Sequence, residues 1–257
     1  MSSKRFFLPA SQSEDLMKLE EIEVGPELYN HMIKSMRMQK GDCCLLLDGR
    51  GHQGRVRIED IDKDKGSVVV KVIDLEDAAG EPDTEIFIAQ ALAKKKKVET
   101  VIQKSTEVGA RGFYPFSSRH AVVKLKGDKV DKRLRRWRKI IREAARQSER
   151  GIRPDIFRPV DLDGLMDLGR DFEVVLLARA REARHNIKEL SREKVVRKGR
   201  KILLIIGPEG GLAEKEIEKL ISLENCYDIS LGPRILRTET AGPVLSGIIL
   251  HEVGEMQ

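Results

Sequence analysis

The sequence predicts an α/β protein in which a mainly parallel sheet flanked by helices follows a small β-rich unit. Three observations carry this reading. From about residue 85 onward, aliphatic runs alternate with amphipathic stretches of helical spacing, the rhythm of βα units. About 75 residues before that hold short apolar runs joined by tight turns, the pattern of a small barrel. Between them, residues 77–83 (DAAGEPD) are acidic and interrupted by Gly80 and Pro82, as a linker would be.

In chain order, residues 27–38 carry Leu28, Met32 and Met36 at helical spacing, and Gly41-Asp42 breaks the pattern. Cys43–Leu47 is an apolar strand, followed by a turn at Asp48-Gly49-Arg50-Gly51. Residues 53–61 alternate, with Val56, Ile58 and Ile61 as the inward positions. A second turn at 62–66 leads to a strand at 67–73. Past the linker, a strand is expected at 85–92. Val98, Val101, Ile102 and Val108 then mark a helix ending at Gly109, and a short strand follows at 113–116. Val130, Leu134, Trp137, Ile141 and Ala144 form the apolar stripe of a long helix closed by Gly151 and Pro154. Strands at 173–178 and 201–206, a helix at 213–223, a strand at 227–231 and a last helix at 240–253 complete the pattern.

The 257 residues are 40% hydrophobic and 35% charged, enough apolar material for one large or two modest cores beneath an ionised surface. The longest apolar stretches, 202–206 and 244–250, fall far short of the roughly 20 residues that span a bilayer. MSSKRFFLP meets Pro9 and polar residues where a signal peptide would carry its apolar region. Membrane and secreted classes are therefore not expected. Cys43, Cys44 and Cys226 form no C-x-x-C pair, so neither a disulfide framework nor a metal site is expected, and a reducing cytoplasm fits.

The net charge of +6 is unevenly spread. Residues 119–153 hold fourteen Lys and Arg against four acids, so the rest of the chain is net acidic. A localised positive face on such a body is the footprint of a polyanion such as nucleic acid, although a solvated helix face gives the same pattern.

Two segments concentrate backbone-permissive residues at strand ends. The first, KILLIIGPEGGL, runs a buried strand into Gly207-Pro208-Glu209-Gly210-Gly211 and then into a helix. Glycines there let the backbone approach a ligand, and a helix N-terminus offers free N–H groups. It is neither G-x-G-x-x-G nor a G-x-x-x-x-G-K-[ST] loop, so the usual dinucleotide and nucleoside-triphosphate readings lack their motif. The second, ISLGPRILRTETAGP, ends a strand at Leu231-Gly232-Pro233 and carries Arg234, Arg237, Thr238, Glu239 and Thr240 before the last helix. Thr238 or Thr240 also serves as a simple helix N-cap, and Pro243 falls near the first turn. Ligands of open α/β sheets gather at the carboxyl ends of strands, so two such ends point to one pocket. Lys104 and Glu107 form an i,i+3 pair of the kind that is more often a surface ion pair than a catalytic one, and Gln147, Ser148 and Arg150 lie at a helix end, where polar residues are often caps.

RFFLP at 5–9, QKSTEVGARGFYPF at 103–116, EAARQSER at 143–150, IGPEGG at 206–211 and LGPRILRTETA at 231–241 occur in that order. Together they resemble the bacterial 16S rRNA uridine-N3 methyltransferase family over nearly the whole chain. The resemblance implies a PUA-like RNA-binding β-barrel at 1–76 and a SPOUT-class methyltransferase domain with a C-terminal trefoil knot at 77–257. It also implies S-adenosyl-L-methionine as cofactor, a homodimer formed through the SPOUT domain, and uridine 1498 of the small ribosomal subunit as acceptor.

By the same resemblance, Leu177, Ile206, Gly207, Glu209, Gly210, Leu231, Gly232, Ile235, Leu236 and Thr238 would enclose the cofactor. Arg237 would stabilise charge on the uracil oxygens, with Glu239 as base or orienter. RNA contacts are expected from Arg5, His31, Arg37, Lys94, Lys95, Lys104, Arg135, Arg138, Arg142, Gln147 and Arg150. Two other readings share these features: a SPOUT enzyme acting on another rRNA or tRNA nucleoside, and a non-catalytic RNA-binding assembly factor.

Overall fold

The computed structural model describes residues 4–94, 96–121, 127–180 and 182–256, so Lys95, Lys124 and Lys126 lie outside the described residues. The chain forms two units: residues 1–81 with 145–153, and residues 82–144 with 154–257. The first unit thus runs past the expected limit at 76 and takes in a segment from the middle of the sequence.

In the first unit, β1 (Arg5–Phe7), α1 (Asp15–Lys18), β2 (Glu21–Val24), α2 (Pro26–Tyr29), β3 (Cys43–Leu47), β4 (His52–Asp62) and β5 (Ser67–Asp77) follow in order. The strands make one sheet in the order β1-β3-β4-β5-β2, antiparallel except for the β1–β3 pair. In this hydrogen-bonded order β1 and β2 are the outermost strands. Alternation sends Cys44, Leu46, Val56, Ile58, Val68 and Val70 into one core with Phe6, Leu16 and Met32. Register shifts at Arg55/Val56 and Ile58/Asp60 bend β4, the usual effect of an extra residue in one strand.

The helix expected at 27–38 is an α-turn that widens over Asn30–Ser35, where the Met36 N–H reaches back five residues to the His31 carbonyl. It ends as Arg37 takes a left-handed φ of +52° and Met38 N–H bonds to the Met32 carbonyl.

Segment 145–153 is tied into this unit by a buried ion pair. Arg150 forks onto Glu81, with Nη2–Oε2 at 2.6 Å, and Glu81 Oε1 also accepts the Ile152 N–H at 2.9 Å. Gly151 is needed where it stands, because a Cβ there would lie 2.0 Å from Ala78 Cβ.

The second unit contains β6 (Glu85–Ala91), α3 (Lys97–Val108), β7 (Gly112–Phe116), most of α4 (Asp128–Gln147), β8 (Asp155–Ile156), α5 (Leu162–Gly169), β9 (Val174–Arg179), α6 (Ile187–Arg192), β10 (Lys201–Ile206), α7 (Glu214–Ile221), β11 (Cys226–Ser230) and α8 (Thr238–Glu252). Its sheet is wholly parallel, in the order β11-β9-β10-β6-β7-β8.

Helices cover both faces. Ile202, Leu204 and Ile206 pack with α3, α4, α6 and α8 on one side, while Leu203 and Ile205 pack with α5 and α7 on the other. Burial on both faces explains why β10 is an uninterrupted aliphatic run. In α4, Val130, Leu134, Trp137 and Ile141 face this core, and the cations point away from it.

Candidate functional site

The sheet register brings the carboxyl ends of four strands level. Leu177 of β9 lies beside Ile205 of β10 and Asp228 of β11, and Gln90 of β6 lies beside Ile206. The chain leaves β10 through Gly207-Pro208-Glu209-Gly210-Gly211. That turn is closed by the Gly211 N–H on the Pro208 carbonyl, with φ of +72° at Gly211. It leaves β11 through Leu231 and Gly232, whose φ is +97°.

One residue joins these parts. Thr238 Oγ1 donates to the Gly207 carbonyl at 2.6 Å and accepts from Gln90 Nε2 at 2.9 Å, linking the first loop, β6 and the start of α8. It is therefore not a helix cap. The N-cap position is Arg237, which makes no side-chain cap bond. Pro243 sits inside α8, so it supplies no N–H to the Glu239 carbonyl. On the far side of the first loop, Glu216 Oε2 accepts the Ala213 N–H and Oε1 accepts the Arg119 N–H, each at 2.8 Å.

Between the loops lies a cavity of about 560 Å³. Apolar walls come from Leu177, Ala178, Ile206, Leu231 and Leu236, and bare backbone from Gly207, Gly211 and Gly232. Apart from Arg234, its charged groups fall into two clusters. In one, Lys97 Nζ lies 3.3 Å from Glu209 Oε1 and 3.5 Å from Glu239 Oε2, and Arg237 Nη1 lies 3.9 Å from Glu239 Oε1. In the other, Arg179 Nη1 lies 3.4 Å from the buried Asp228, and Nη2 lies 3.5 Å from Glu182.

Burial works to raise the Glu209 carboxyl, but its own backbone N–H, Lys97 and the Lys94 N–H outweigh that and hold it below the ordinary value of 4.5. The pairing therefore stabilises the folded loop above pH 4.5 and is lost as pH falls through the lowered value.

Of the expected cofactor residues, Leu177, Ile206, Gly207, Glu209, Leu231 and Gly232 line this cavity, as do Ile235, Leu236 and Thr238. Gly210 does not, its α-carbon facing His120 instead. Arg237 lines the cavity but is 81% exposed, whereas Glu239 is absent from the lining and pairs with Lys97, which does line it. Lys97, Arg179 and Glu182 also line it and are not among the expected cofactor residues. Lys97 was hidden inside a tetralysine run, and Arg179 sits one residue past the expected end of its strand.

The expected RNA contacts differ in exposure and in the partners they hold. Arg135 and Arg138 stand exposed on α4 with Lys132 and Lys139, none with an anion in pairing range among the described residues, and Arg142 is half-buried on the same helix. Arg133 and Arg136 of that helix are instead spent on Glu99, at 3.2 and 2.8 Å. Lys104 pairs with Glu107 at 2.9 Å, Gln147 is exposed, and Lys94 is exposed beside the first loop.

In the first unit Arg37 is exposed and His31 stands edge-on to Phe6. Arg5 bonds Gln53 Oε1 at 2.5 Å and the Glu149 carbonyl. Arg150 does not fit the expectation of an RNA contact. Its side chain is 6% exposed, and its charge is committed to Glu81.

Among the described residues, no three His, Cys, Asp or Glu side chains converge as a metal site, and no helix is long and apolar enough to cross a membrane.

Residues 80–250 match the RNA methyltransferase domain family, and residues 25–71 match the RNA methyltransferase PUA domain. The ribosomal RNA small subunit methyltransferase E of Bacillus subtilis is 33% identical over 242 residues, 93% of this chain and 92% of that protein. A Legionella pneumophila methyltransferase, solved with bound S-adenosylmethionine, superposes with a TM-score of 0.83 at 28% identity, covering 98% of each chain. The Neisseria gonorrhoeae ribosomal RNA small subunit methyltransferase E has the same fold, with a TM-score of 0.82 at 22% identity over 97% of this chain and 98% of that one. With a domain match across residues 80–250 and a full-length relative at one third identity, this chain belongs to the ribosomal RNA small subunit methyltransferase E family.

Proposed function

We propose that this protein methylates N3 of a uridine in 16S rRNA, at position 1498, using S-adenosyl-L-methionine. The observation that carries this reading is the cavity between the two glycine-rich loops, apolar along its walls and ionised at its rim. The names of its relatives and the cofactor bound in the Legionella pneumophila neighbour support it.

The cavity fits that cofactor. About 560 Å³ is ample for an adenosine-sized ligand, and Leu177, Ile206 and Leu236 suit a flat base. A Cβ at Gly207 would close to 3.3 Å on Leu212, so the bare backbone there keeps the floor open. When bound, S-adenosylmethionine supplies the methyl group through a sulfonium whose S–CH3 electron pair returns to sulfur as the N3–CH3 bond forms.

The protein must then position the uracil and accept the N3 proton. Glu239 is the candidate acceptor, and Arg237 at the cavity mouth meets the incoming nucleotide. Thr238 keeps the loops in register. Thr238→Val keeps the shape but takes the hydroxyl donor from the Gly207 carbonyl and leaves the Gln90 amide with the Ala91 carbonyl alone, so a loss of about 1–3 kcal/mol is expected in denaturant titration. S-adenosylhomocysteine binding, measured by calorimetry, should weaken with it.

The finer architecture belongs to the same proposal. The PUA match at 25–71 supports an RNA-binding barrel in the first unit, and the adjacent loops at the strand ends support a C-terminal trefoil knot. Exposed Ile235, and exposed Val244 and Ile248 one turn apart on α8, support a homodimer in which a second copy covers them. The exposed cations of α4 hold phosphate without reading sequence, and an rRNA substrate puts the enzyme in the cytoplasm.

The test is methyl transfer from labelled cofactor to undermethylated 30S subunits, naked 16S RNA and tRNA, with products identified as nucleosides by mass spectrometry. 3-Methyluridine from 30S subunits is expected. Another nucleoside, or activity on tRNA alone, overturns the substrate. Failure to bind cofactor overturns the reaction.

A further inference from the structure

Lys94 to Lys97 are four consecutive cations in the sequence, but Lys97 stands apart. It is the first residue of α3, its side chain is 27% exposed, and it lines the cavity. Its ammonium lies 3.3 Å from Glu209 on the first loop and 3.5 Å from Glu239 at the start of α8. An ammonium has three N–H donors, and Glu239 Oε2 accepts no hydrogen bond among the described residues, so the pairing with the two carboxylates leaves donor capacity for a group inside the cavity.

The other cation beside Glu239 is differently placed. Arg237 is 81% exposed, so water screens most of its charge. Charge that develops during a reaction is stabilised best by donors held in place beforehand in a partly enclosed site. Taking the proton from uracil N3 spreads negative charge onto O2 and O4.

We infer that Lys97 is a catalytic residue whose ammonium donates to a carbonyl oxygen of the target uracil, stabilising the anion that N3 deprotonation creates. The inference rests on the proposed methylation of uridine N3. In the balanced step the N3 proton passes to Glu239, the N3 electron pair forms the new N–CH3 bond, and the S–CH3 pair returns to sulfur. Lys97 remains an ammonium throughout.

A lysine that only ties the two loops together would behave differently, and the acidity of the substrate separates the two roles. Undermethylated 30S subunits are prepared with uridine, and again with 5-fluorouridine, whose N3 proton is more acidic. Wild type, Lys97→Met and Lys97→Arg are compared on both, with S-adenosylhomocysteine binding measured by calorimetry on the free proteins.

Lys97→Met is expected to lose about 100-fold in kcat on uridine subunits, with S-adenosylhomocysteine binding retained. The defect should shrink on 5-fluorouridine subunits, and Lys97→Arg should retain an intermediate rate. Equal loss on both substrates, or loss of S-adenosylhomocysteine binding, overturns the inference. If the Met variant does not fold by circular dichroism, Lys97→Arg on the two substrates decides the same question. Absence of 3-methyluridine from the wild type would instead overturn the reading on which the inference rests.

Discussion

Glu239→Gln is expected to lower turnover on 30S subunits by about 100- to 10,000-fold, the usual contribution of a positioned acid or base. S-adenosylhomocysteine binding should be unchanged. The carboxylate sits in the first turn of α8, where unsatisfied N–H groups favour negative charge. It is flanked by Lys97 at 3.5 Å and Arg237 at 3.9 Å, and its side chain is largely covered. Glutamine keeps the shape and removes both the charge and the ability to take a proton. Single-turnover rates with calorimetry on the free protein make the comparison. Wild-type turnover in the variant would remove Glu239 from the chemistry and leave the N3 proton to water.

Glu81→Ala is expected to destabilise the first unit by about 3–5 kcal/mol, because it strips the carboxylate from a buried guanidinium. The same change removes the acceptor for the Ile152 N–H. In urea the midpoint should fall with the slope unchanged. Replacing both partners, Glu81→Leu with Arg150→Met, should recover much of the loss, since a buried ion pair exchanged for apolar packing is often near neutral. The salt dependence of RNA binding by that double variant should match wild type, because a cation that neutralises a phosphate steepens the slope by about one and Arg150 neutralises none. A flatter slope would return Arg150 to the RNA-binding surface.

Legibility in the sequence followed burial and length. Strands β6, β9 and β10 announced themselves because both faces are buried and most positions are apolar. Strands β1, β2 and β8, at three, four and two residues, are too short to display a period. The helix expected at 27–38 had the right apolar spacing, but its middle turn is wider than an α-turn, and side-chain pattern does not record which carbonyl an N–H chooses.

Thr238 shows the same limit at the site. A hydroxyl before a helix reads as a cap, and only the fold brought the Gly207 carbonyl and the Gln90 amide to it.

The sequence by itself determined the parallel α/β architecture, the β-rich start, the two strand-end loops and the family. These are set by local periodicity and by short motifs, which the chain carries in its order of residues. Tertiary structure alone decided what each charge is for. Lys97 turned from the surface to two carboxylates, Arg133 and Arg136 were spent on Glu99, and Arg150 was buried on Glu81. The reason is physical: a side chain's charge is written in the sequence, but its burial and its partner depend on residues that are distant along the chain and become neighbours only when it folds.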